Sequence, residues 1–133
     1  MVNVIRQLTS STSQFEVLPS AARTTAPDTQ EFEITGRGYE YGGLHLIIDA
    51  TAVTATPALT VTVSGVDRLS GKLYTLISST AIATAVTTVL EIGPGITASA
   101  NLAVARNMPP VFRVTCAHGD ADSITYSVTG VLV

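Results

Sequence analysis

Lysine is almost missing from this 133-residue chain, which has Lys72 and no other. Tryptophan is absent, cysteine occurs once, and the aromatics amount to three phenylalanines and four tyrosines. Each shortage excludes something. The lone Cys116 rules out an intrachain disulfide, so stability has to come from the core and from any oligomer contacts. The six arginines (Arg6, Arg23, Arg37, Arg68, Arg106 and Arg113) stand far apart in a chain of net charge -3. They form no basic footprint and the few rings form no stacking array, which argues against nucleic acid as a partner. Between positions 44 and 66, Asp49, Pro57 and many threonines interrupt the apolar residues, so no membrane helix is expected there. Positions 1–6 lack the apolar run of a secretory leader, and the expectation is a soluble protein made in a cytoplasm.

What is present is alternation. Leu59, Val61 and Val63 alternate with Thr60, Thr62 and Ser64, and Ile124, Tyr126 and Val128 alternate with Thr125, Ser127 and Thr129. Period two with Val, Ile and Thr enrichment marks strands with one buried and one polar face. From 44 to 105 the only charged side chains are Asp49, Asp67, Arg68, Lys72 and Glu91, so the polar face is mostly hydroxyl. Soluble monomers usually hold neighbours off with Lys and Glu; this pattern suits a module that sits against other protein.

The spacing predicts strands at 31–35, 43–50, 59–66, 73–78, 86–92, 110–117 and 123–133. Turn chemistry separates them at Thr54-Ala-Thr-Pro57, Asp67-Arg-Leu-Ser-Gly71, Gly93-Pro-Gly95 and His118-Gly-Asp120. The expected fold is all-β, an antiparallel two-sheet sandwich of jelly-roll type spanning 31–133. Residues 1–30 read as an extended N-terminal arm, polar at both ends around Phe15-Glu-Val-Leu18, and either frayed or ordered on a neighbouring subunit. The stretches 79–85 and 97–106 fit loop or strand equally, and Asn107-Met-Pro-Pro110 ends any helix in the second.

Signs of catalysis are sparse. His45 falls in the polar phase of its strand, as a surface or interface side chain. No G-x-S-x-G elbow is present, and Cys116, in phase with Phe112 and Val114, reads as a buried thiol. His118-Gly-Asp-Ala-Asp122 could bring two carboxylates to a hard cation. Calcium wants more oxygens than that, and aspartates capping local N–H groups are the simpler account. No His or Cys cluster supports zinc. Gly36-Arg-Gly38 and Gly93-Pro-Gly95 are too short to cradle phosphate. Arg113, mid-strand in the polar phase, reads as an exposed guanidinium or half of an ion pair with a partner. No catalytic residue, cofactor or small-molecule substrate is expected.

From about Leu44 onward the chain resembles small β-module virion proteins of tailed bacteriophages. The resemblance rests on Leu59-Thr-Val-Thr-Val-Ser-Gly-Val-Asp-Arg-Leu-Ser-Gly-Lys-Leu-Tyr-Thr-Leu-Ile77, Ile92-Gly-Pro-Gly95, Pro109-Pro-Val-Phe-Arg-Val-Thr115 and Ser123-Ile-Thr-Tyr-Ser-Val128, in that order. Members often carry Asp-Pro-x-Ser-Gly-Lys at the hairpin and Trp-Arg-Val in the late strand. Here those pieces read Asp67-Arg-Leu-Ser-Gly-Lys72 and Phe112-Arg-Val114. The resemblance implies a capsid cement or decoration protein on the outside of the phage head, a homotrimer clamping adjacent major capsid subunits. On that reading Phe15, Val17 and Leu18 of the arm, with Arg37 and Tyr39, are the expected capsid contacts. Thr60, Thr62 and Ser64 are the expected self-association face. A tail or neck protein is the alternative of the same kind, and a carbohydrate-binding sandwich the alternative of another kind.

Overall fold

A computed structural model describes residues 5–9, 13–25, 27–35 and 42–133. Ten strands appear among them: β1 (Ile5–Leu8), β2 (Gln14–Arg23), β3 (Asp28–Ile34), β4 (Leu44–Val53), β5 (Leu59–Val66), β6 (Leu73–Ser78), β7 (Thr87–Ile92), β8 (Ala103–Val104), β9 (Val111–His118) and β10 (Ile124–Leu132). They form two five-stranded sheets, ordered β1-β3-β9-β5-β6 and β2-β10-β4-β7-β8. The sheets pack face to face as a β-sandwich.

The alternation explains which side chains fill the space between them. Along β10, Ile124, Tyr126, Val128, Gly130 and Leu132 are buried while the residues between them are half-buried. Leu44, Leu46 and Ile48 of β4 and Val61 and Val63 of β5 do the same, each fully buried. Phe15, Phe32 and Phe112 meet at the centre, with ring centroids 5.0 Å apart for the first pair and 5.3 Å for the second. Fully burying one such side chain stabilises the fold by about 1.5–3 kcal/mol.

Both sheets are mixed rather than purely antiparallel. β1 runs parallel to β3, and β8 runs parallel to β7. The cause of the first is topological: β2 crosses to the opposite sheet and returns the chain, so β1 and β3 point the same way. Bulges interrupt the pairing of β10 with both its neighbours.

The N-terminal segment is the main correction to the expected architecture. β2 pairs with β10 from Gln14 to Arg23, and β1 pairs with β3 from Ile5 to Leu8. Phe15, Val17 and Leu18 are therefore buried within this chain, at 8%, 2% and 6% exposure. They cannot serve as projecting capsid contacts. Phe15 goes inward because β10 leaves it a vacancy: a Cβ at Gly130 would collide with the Phe15 ring. Arg6 closes the layer from above, its guanidinium 5.0 Å from the Phe32 ring centre and bonded to the carbonyls of Glu16 and Val17. Arg37 and Tyr39 lie outside the described residues.

Candidate functional site

The outer face of the β1-β3-β9-β5-β6 sheet is built by the polar phases of its strands. Register places Thr29 of β3, Thr115 of β9, Thr62 of β5 and Ser78 of β6 side by side across four strands. The hydroxyls of Thr62 and Ser78 are hydrogen-bonded at 2.9 Å. Thr60 and Ala117 form the adjoining row. This is a band of hydroxyls and methyls.

The charges bordering that band are tied up inside the chain. Arg113 donates from Nε (3.1 Å) and a terminal nitrogen (2.7 Å) to Glu31 Oε2, and Glu31 is itself buried. Arg113 is thus neither free nor waiting for a partner. Arg68 reaches Glu33 at 2.9 Å, and the Gln7 amide donates to the same carboxylate. Of the expected self-association residues, Thr60 and Thr62 stand half-buried on the outer face. Ser64 is only 6% exposed, enclosed between Arg113 and Thr75 by the register, and drops out.

Between the sheets, Cys116, Tyr126 and His118 form a linked group. The Tyr126 hydroxyl is hydrogen-bonded with the Cys116 thiol and lies 3.1 Å from His118 Nε2. The other ring nitrogen of His118, Nδ1, is buried with no partner among the described residues. Arg23 seals the group: its guanidinium lies 4.7 Å from the Tyr126 ring centre, donates to the Tyr126 carbonyl and pairs with Asp28 at 3.1 Å. Burial pushes the thiol up to about 12 and raises the phenol as well. A thiol held protonated in this way is a packing group and not a nucleophile.

The remaining sequence candidates resolve as local structure. Asp122 accepts the Thr56 N–H and Asp120 accepts the Asp122 N–H, so the paired carboxylates brace the loop beside β10. Among the described residues no group of three or more His, Cys, Asp or Glu side chains is placed to hold a metal. His45 lies 3.4 Å from Glu91 on the exposed face of the other sheet.

One feature escaped the sequence reading. A groove of about 520 Å³ opens beside β6, lined by Tyr74, Leu76, Arg106, Met108 and Pro109 among others. Gly65 on β5 creates its shape, because the Tyr74 ring lies where a Cβ would stand. Arg106 covers that ring at 5.9 Å. The one sequence signal was a glycine inside an otherwise bulky strand, Thr60-Val-Thr-Val-Ser-Gly-Val66, which often marks a site of close approach. The resulting geometry offers surfaces for contact. Comparison with models of known protein families and with curated proteins found no match.

Proposed function

We propose that the chain is a structural protein of a tailed-bacteriophage particle: a capsid cement protein, without catalytic activity, that decorates the exterior of the head. In this reading it is a homotrimer that clamps adjacent major capsid subunits after being made in the host cytoplasm. The observation that carries the proposal is the uncharged band Thr29–Thr115–Thr62–Ser78, bordered by ion pairs already satisfied within the chain. Such a face loses water at small cost, since neither a bare charge nor a long flexible side chain must be immobilised on contact. The resemblance of residues 44–133 to phage virion modules supplies the identity of the partner. Weak copies multiplied over a lattice make a strong coat, because each one opposes separation of the subunits beneath it. Thr60 and Thr62 are assigned to the trimer contact, and Arg37 and Tyr39 to the shell.

The test is reconstitution on bare heads of the cognate phage, followed by particle imaging. The expected result is density repeated over the whole shell. Thr62→Lys and Thr115→Lys, both at half-buried outward positions, should each lower occupancy about tenfold while leaving the fold intact; a charge stripped of water without a partner readily costs the 1.4 kcal/mol this requires. Density confined to rings at one vertex would move the protein to the neck or tail, and no density would end the coat reading.

A further inference from the structure

We propose that the corner where the β5–β6 hairpin meets residues 105–109 is a second binding surface. Its occupant is an extended acidic segment of another protein, which lays an apolar side chain on Tyr74 and offers carboxylates to Arg106 and Lys72.

Exposed apolar bulk is concentrated here. Leu69 is completely exposed, Leu73 is 45% exposed and Tyr74 41%, all within six positions, whereas Val86, Val89, Leu102 and Val133 are scattered. The loop that holds Leu69 out is braced. Asp67 accepts the Leu69 N–H at 3.0 Å and the Ser70 hydroxyl at 2.7 Å, the Ser70 hydroxyl in turn accepts the Lys72 N–H, and Gly71 takes the positive φ of 73° that the turn demands. These bonds hold the Asp67 carboxyl below its ordinary range. A loop ordered in this way has already met part of the backbone entropy cost of being bound.

Charge decides the kind of partner. Arg23, Arg68 and Arg113 are each paired with a carboxylate, and Arg6 is bonded to two backbone carbonyls. Among the described residues, Lys72 and Arg106 meet no carboxylate, and both flank Tyr74. Arg106 covers its ring, and Lys72 stands two positions earlier on the same ladder, which the Asp67 N–H to Lys72 carbonyl bond extends. Among the described residues, the two cations without a carboxylate thus belong to the same hairpin corner, which also carries exposed apolar side chains. Two cations are too few to grip nucleic acid, and a single exposed ring makes a poor sugar platform. A second copy of this chain is the poorer source, because Asp28, Glu31, Glu33, Asp67 and Asp122 are occupied by donors of their own, and exposed Glu16 stands between the buried Phe15 and Val17 with no accessible apolar neighbour to lay on Tyr74.

The edge itself is partly covered against strand addition. Asn101 donates to the Ser78 carbonyl at 2.9 Å, and Arg106 approaches the Thr75 carbonyl at 3.5 Å. The partner therefore docks beside β6 on side chains rather than joining the sheet.

The experiment uses the full chain and the peptide Gly-Ser-Glu-Leu-Glu-Ser-Gly, with Gln-Leu-Gln and Lys-Leu-Lys versions as controls, titrated by amide NMR. The expected result is saturable shifts at Tyr74, Leu76, Arg106 and Met108 with the acidic peptide alone, weakened by salt. Arg106→Gln and Lys72→Gln, exposed changes that spare the core, should each weaken binding about three- to fivefold. Equal binding of the three peptides, shifts elsewhere, or no saturable shift would overturn the proposal. So would self-association through this corner, seen as a dimer in sedimentation that Tyr74→Glu dissolves. The inference does not rest on the coat assignment: a chain that binds the acidic peptide yet ignores phage heads would keep this reading and discard the other.

Discussion

Two glycines, one in each sheet, have the same local arrangement and opposite fates. Gly130 on β10 gives its space to the ring of Phe15, and Gly65 on β5 gives its space to the ring of Tyr74. In both, an aromatic from the neighbouring strand fills the missing side chain. Phe15 is then enclosed by Phe32 and Phe112 and is 8% exposed. Tyr74 has only Arg106 above it and is 41% exposed. One arrangement completes the interior, and the other shapes a surface. What separates them is the supply of further apolar neighbours, not the backbone.

The sharpest way to break this comparison is to remove the rings. Phe15→Ala should cost about 3–5 kcal/mol in urea unfolding, since three rings lose their packing and a cavity remains. Tyr74→Ala should cost about 1 kcal/mol or less, because that ring is already partly in water. Equal losses would mean that Tyr74 also belongs to the core. Filling the vacancies comes next in size. Gly130→Ala should destabilise by about 1–3 kcal/mol, as the Phe15 ring is boxed in and cannot yield. Gly65→Ala should cost about 1 kcal/mol or less, because the Tyr74 ring is free to swing outward, and the groove should close or widen with it.

The last test concerns alkali. The Cys116 thiol and the Tyr126 phenol are both harder to ionise in the folded chain than in the unfolded one. Their contribution to stability is complete below the ordinary thiol value of 9.0 and is lost as pH rises toward about 12. Urea midpoints measured at pH 8, 10 and 11 should fall in that order, and Cys116→Ala should flatten the first part of the decline. An unchanged midpoint would show that the pair is not desolvated.

Most strands from 31 onward were legible because alternation or flanking turn chemistry marks them. The 59–66 and 73–78 segments were read to the residue as β5 and β6, and β9 and β10 within a residue or so at each end. The arm was misread for a reason specific to β2. Its later residues, Pro19-Ser-Ala-Ala-Arg23, carry almost no pattern, and its partner is at the far end of the chain. Phe15 and Val17 already alternated with Glu16, but the place waiting for them depends on Gly130. The stretch at 79–85 proved to be a crossing point where Ile82 bridges Leu59, and 97–106 holds the two-residue β8. The hydroxyl face was readable as composition, and its unbroken row across four strands needed the register. The Tyr74 groove was invisible because Arg106 and Met108 reach Tyr74 from a segment with no periodicity of its own.

That β2 belongs with β10 has a bearing on how the molecule comes into being. Phe15 is separated from Gly130 by most of the described chain, and the vacancy that its ring fills exists only once β10 is in place. Closure of the second layer is thus a late, long-range event, slow by the standards of locally wired domains and open to capture by other newly made chains in the meantime.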